Sequence, residues 1–151
     1  MSKKSARIAA LIDTCRGQAQ DPHYLGYFEC FNRELFYEAH DVLEELWLAS
    51  RPGPNYGFYK GLIQLAGAFV HLQKERLRPA AALLKLSRSY LEPYPPVHEN
   101  LELEPVRSLI AEWLEALASC AFQTNPLKTA PPPKLRLLAP SRARSDGKSM
   151  A

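Results

Sequence analysis

The sequence predicts an all-α protein: an antiparallel bundle of four to five helices with an irregular C-terminal tail. Three observations carry this. Apolar residues recur at helical spacing in successive segments. Hard breaks rich in proline and glycine divide those segments. No stretch alternates as a strand, and no Asn-Gly or Asp-Gly turn sits between apolar runs. Short connections favour antiparallel neighbours, hence a bundle.

Ser5–Arg16 places Ile8, Leu11, Ile12 and Cys15 on one face, with Ser5 as a cap and Gly17 as a stop. Asp21-Pro22 supplies a cap and a proline at the first helical position, opening a short helix over His23–Phe31. Asn32 can cap the following helix, Arg33–Ser50, whose inward stripe is Phe36, Ala39, Leu43, Leu46 and Trp47. Arg51-Pro-Gly-Pro-Asn55 ends it.

Asn55 can cap Tyr56–Arg76, apolar on nearly all sides and so the central helix. Gly61, Ala66, Gly67 and Ala68 lie within it. A glycine inside a helix costs about 1 kcal/mol relative to alanine, so these small residues mark where another helix approaches closely. Pro79–Leu91 forms the next helix and ends at Pro93-Tyr-Pro-Pro96. Glu104-Pro105 opens the last, to Ser119, with Val106, Leu109, Ile110, Trp113 and Leu117 on one stripe. These segments make one domain over residues 1–121.

Residues 122–151 are rich in proline, serine, lysine and arginine, and are expected to be a disordered or loosely attached tail. Within it, Leu135–Leu138 could dock as an extended segment on this chain or on another. The formal charge is +3, but Lys128, Lys134, Arg136, Arg142, Arg144 and Lys148 are concentrated in that tail. The remainder is slightly acidic, so nucleic acid is not the expected partner except through the tail. No apolar run is long enough to cross a bilayer, and no signal peptide is recognised, so a cytoplasmic location is expected. Cys15, Cys30 and Cys120 are far apart, odd in number and without a Cys-x-x-Cys pair; they read as reduced.

The candidate site lies in Phe31–Trp47, FNRELFYEAHDVLEELW. His40 and Glu44 are four apart and share a helix face, with Trp47 one turn further; Asp41 and Glu45 should point to solvent. On the next helix Lys60, Gln64 and His71 share a stripe with Gly67 and Ala68 between. An antiparallel hairpin would set His40 and Glu44 against Gln64 or Ala68, where the absent side chains leave room. Three readings follow. Glu44 and Gln64 simply satisfy a partly buried His40. His40, Glu44 and His71 ligate a divalent metal. Or His40 and Glu44 form an acid–base dyad, although no nucleophile with an adjacent base is visible.

FN at 31–32, EAHDVLEELW at 38–47 and FYKGLIQLAGAFVHL at 58–72 resemble the helical family called domain of unknown function 309. Its pattern is Phe-Asn, then His-x-x-x-Glu-x-x-Trp, then Gly-Leu-Ile-Gln-Leu-Ala. The resemblance covers residues 24–91. It implies a small all-α bundle and carries His40, Glu44, Trp47, Gly61 and Gln64 over as the core of the motif. Asp41 stands where the family commonly has Glu, and Pro79-Ala80-Ala81 where a Gly-Ala pair is usual. The resemblance supplies no activity.

Two functions are therefore expected. The first is a small-molecule or metal pocket at His40, Glu44, Trp47, Gly61, Gln64 and His71. The second is an interaction module binding protein or nucleic acid, with the motif as scaffold. A homodimer is compatible with either.

Overall fold

A computed structural model describes residues 6, 9, 10, 12, 13 and 20–138 of the chain. The expected N-terminal helix, Ser5–Arg16, lies largely outside the described residues. Those described within it are helical, and Ile12 is buried. Five helices follow: α1 (Pro22–Asn32), α2 (Phe36–Ser50), α3 (Tyr56–Gln73), α4 (Leu77–Leu91) and α5 (Leu103–Ser119). The all-α bundle is what the sequence predicts. Among the described residues no helix is long and apolar enough to cross a membrane.

α3 is the central element. Phe58, Leu62, Leu65, Phe69 and Leu72 are fully buried along it. It packs on α2 with one face and on α4 with another; α1 packs on α2, and α5 on α4. Aromatic rings join the layers. Phe36 stacks on Phe69 with centroids 5.2 Å apart, and Phe69 meets Trp113 edge-on at 4.9 Å.

The small residues of α3 do mark a close helix approach. A Cβ on Gly61 would lie 2.7 Å from Leu91 Cγ, and the Gly61 carbonyl accepts a 2.7 Å hydrogen bond from the buried Ser87 hydroxyl. Both partners belong to α4.

Three helix ends share one device that the sequence reading missed. After α1, the Glu34 N–H donates to the Phe31 carbonyl and the Leu35 N–H to that of Cys30. After α3, Glu75 and Arg76 donate to Leu72 and His71; after α5, Ala121 and Phe122 donate to Ala118 and Leu117. Each is a Schellman motif, which needs one left-handed residue. Here that residue is Glu34 (φ 65°), Glu75 (φ 61°) or Ala121 (φ 54°), never glycine. Hence α2 begins at Phe36 rather than Arg33, and α3 stops at Gln73 rather than Arg76. Asn32 does not cap α2; its side chain is used elsewhere.

A short hairpin was not expected. β1 (Val97–His98) and β2 (Leu101–Glu102) pair antiparallel, Val97 opposite Glu102 and His98 opposite Leu101. Glu99 and Asn100 both have positive φ, 50° and 62°, the requirement of a type I′ turn.

The tail expected to be disordered from residue 122 is packed as far as residue 138. Pro126–Lys128 is a 3₁₀ turn, capped by Asn125, whose side chain also donates to the Leu72 carbonyl at 2.6 Å. Leu135 is buried, and Leu137 bridges antiparallel to Leu101. The reason is local: two leucines and an exposed hairpin edge outweigh the disorder-prone composition around them. Residues 139–151 lie outside the described residues.

Candidate functional site

Two contacts fix how α2 and α3 face each other. Lys60 Nζ lies 4.3 Å from the centroid of the Trp47 ring. A Cβ built on Gly67 would lie 3.8 Å from His40 Cδ2. His40 and Trp47 are seven residues apart on α2, as are Lys60 and Gly67 on α3, in opposite directions. The helices are therefore antiparallel, and Glu44 is level with Ile63 and Gln64. The room beside His40 comes from Gly67 rather than from Ala68 or Gln64. His40, Glu44 and Gln64 are all half-buried on this seam.

His40 does not take its partner from Glu44. Its Nδ1 lies 3.2 Å from Asp41 Oδ1, and the two side chains are 30% and 23% exposed. Asp41 thus turns along the helix toward the ring instead of out to solvent. An ionised carboxylate only accepts hydrogen bonds, so beside ionised Asp41 the hydrogen sits on Nδ1. Nε2 then keeps its lone pair.

The structure brings together His40, Asp41 and Glu44. One ligating atom from each lies within 4.8 Å of the other two. Ligands around a tetrahedral zinc, at bonds of about 2.1 Å, stand roughly 3.4 Å apart. The spread of up to 4.8 Å is wider than that separation. His71 is not in this cluster, so the expected trio His40, Glu44, His71 is replaced by His40, Asp41, Glu44. His71 is half-buried on the same face of α3, with Nδ1 enclosed and without a hydrogen-bond partner among the described residues. Desolvation lowers its pKa, helped by the nearby charges of Arg76 and Lys74.

Trp47 forms the wall one turn along. It is 7% exposed, and its Nε1 has no hydrogen-bond partner among the described residues. Tyr56 leans on the ring at 5.3 Å, and the Arg51 guanidinium lies 4.8 Å from its centroid. Arg51 was missed in the sequence because it lies in the break between helices. Gly61, by contrast, faces α4 through Leu91 and Ser87, so its role is helix packing rather than the pocket. Among the cysteines, Cys30 is buried, Cys120 follows α5, and Cys15 lies outside the described residues.

The cluster offers an imidazole nitrogen and two carboxylates, a set suited to zinc, manganese or iron(II). Asp41 against Nδ1 also matches the carboxylate–histidine pairing that orients ligating imidazoles elsewhere.

In comparison with protein families, the model described as Domain of unknown function (DUF309) matches residues 24–83. No curated protein and no solved structure matches the chain. The matched span runs from within α1 into α4 and holds His40, Asp41, Glu44, Trp47 and Gln64. Residues 24–83 are thus similar to DUF309, a family named for lacking an assigned activity.

Proposed function

We propose that the seam between α2 and α3 binds a divalent cation, with His40 Nε2 and the Glu44 carboxylate as ligands and Asp41 orienting the imidazole. The observation that carries this is the convergence of the three side chains within 4.8 Å beside Gly67. Two protein ligands leave open positions for water or for a small oxygen ligand. Arg51 and Lys60 stand over Trp47, one turn away, and favour an anionic small molecule in that position.

The test is titration of metal-free protein with Zn²⁺ and Mn²⁺ by calorimetry and thermal melting. A cation at a hundred times its dissociation constant should stabilise the fold by about 2.7 kcal/mol. That corresponds to a rise in Tm of roughly 5–10 °C for a chain of this size. His40→Gln and Glu44→Gln should abolish the rise while leaving the metal-free Tm within a few degrees of wild type. Absence of saturable binding of either ion to the wild-type protein refutes the reading.

A further inference from the structure

A second constellation lies away from the His40 cluster, where the chain's last described segment crosses the bundle. Asn32 brackets one residue of that segment. Its Nδ2 donates to the Leu135 carbonyl at 2.7 Å, and its Oδ1 accepts from the Leu135 N–H at 2.7 Å. Lys134 Nζ donates to the Asn32 carbonyl at 2.8 Å. Two residues on, Leu137 pairs with Leu101, and the Leu138 N–H donates to the Asn100 carbonyl at 2.7 Å. The segment thus extends the β1–β2 hairpin by strand addition, a recurring mode of peptide recognition.

Most of these hydrogen bonds read main chain, which any extended peptide offers. Side-chain specificity comes from Leu135, which is 4% exposed. Beside it lies a cavity of about 260 Å³ lined by Leu101, Pro105, Val106 and Leu109 together with Glu102 and the segment's own residues 134–136. The groove therefore has room beyond its present occupant. The occupant is also weakly tied to what precedes it. Pro131, Pro132 and Pro133 have no N–H to donate, and among the described residues no main-chain to main-chain hydrogen bond involves residues 131–134. Asn32 lies inside the family-matched span, whereas the segment it holds lies outside it.

From this we infer that Asn32 and the Asn100–Leu101 edge form a docking site for an extended Leu-x-Leu peptide, and that the same segment of a second copy can fill it. The favoured occupant is a second copy because every copy carries a segment shown here to fit. Reciprocal exchange leaves both grooves filled and breaks no contact. A short tether gives the chain's own segment an effective concentration of millimolar order, so exchange shows clearly only when self-docking is disabled.

Two full-length variants isolate the effect. L135D/L137D keeps the groove and loses the segment; N32A keeps the segment and loses the bracket. Each alone should run as a monomer of 17.0 kDa, and their mixture should yield a 1:1 complex of twice that mass. Far-UV circular dichroism checks that each is folded. A mixture that stays monomeric up to millimolar concentration, the order of the tether's effective concentration, overturns the exchange, and a second probe tests the groove itself. That probe is a synthetic peptide of residues 131–138 titrated onto L135D/L137D. Saturable binding that disappears in N32A/L135D/L137D supports the site; no binding, or binding indifferent to N32A, sinks it.

Discussion

The Nδ1 of His40 lies 3.2 Å from an oxygen of Asp41, its immediate neighbour in the chain. Side chains one position apart on a helix point about 100° away from each other, so this contact requires Asp41 to fold back along the surface. It leaves Nε2 as the lone-pair nitrogen. Asp41→Asn puts an amide donor or a weaker acceptor in the same place and removes the fixed tautomer. The expected outcome is a 10–100-fold weaker Zn²⁺ affinity, typical for loss of an orienting partner, with little change in Tm. Calorimetry on wild type and variant checks it; equal affinities would show that Asp41 does not act through the ring.

Two glycines of α3 should respond oppositely to alanine. At Gly61 the new Cβ would meet Leu91 Cγ at 2.7 Å and the Ser87 carbonyl at 3.3 Å. Overpacking of this kind costs about 1–3 kcal/mol. That exceeds the gain of roughly 0.5–1 kcal/mol from better helix propensity. Gly61→Ala should therefore lower stability to urea. At Gly67 the nearest atom is Leu83 Cδ1 at 3.1 Å, the end of a flexible side chain. Gly67→Ala should be neutral or slightly stabilising. The new methyl would nevertheless sit beside His40 and should weaken cation binding there.

Ala121 occupies the left-handed position that closes α5, at φ 54°. A residue with a Cβ pays about 1–2 kcal/mol for that conformation, and glycine does not. Glycine's extra freedom in the unfolded chain offsets part of the gain. Ala121→Gly should raise stability by about 0.5–1 kcal/mol, read as a higher urea midpoint at unchanged slope. Glu75 has the same geometry but also pairs with Lys128 at 3.0 Å, so Glu75→Gly should gain less.

His71 gives a pH dependence whose sign is fixed. Desolvation holds its pKa below the ordinary 6.5, so folding favours the neutral ring. Its contribution is fully present above 6.5 and declines as pH falls from there through the lower, folded-state value. Wild type should lose urea resistance between pH 7.5 and pH 5.5, and His71→Gln should lose less over the same interval. An identical pH profile in the two proteins would contradict this.

Most of the bundle was legible because its helices obey a single period and its breaks are written in proline. The errors concentrate where the chain uses an uncommon residue for a common job. Glycine after a helix is a readable stop; Glu34, Glu75 and Ala121 in the same role are not. The hairpin at 97–102 escaped because Glu99-Asn100 replaces the usual Asn-Gly. In the candidate site, the helical repeat put His40, Glu44 and Trp47 on one seam and marked the glycine stripe opposite. It could not place Asp41, because spacing assigns each residue a direction and ignores a side chain bending back. It also could not separate Gly61, which serves α4, from Gly67, which serves His40. Both lie on one helix, and only the positions of the neighbouring helices distinguish them.

Asn32 and Leu135 are joined across 103 positions of sequence. Closing so long a loop is entropically costly and earns nothing until the surface that receives it exists. The strap must therefore be a late event in folding, after α1 and the hairpin edge have been assembled. During synthesis the receiving surface emerges from the ribosome well before its own filler. Each nascent chain thus passes through an interval in which a strand-hungry groove faces whatever else is near.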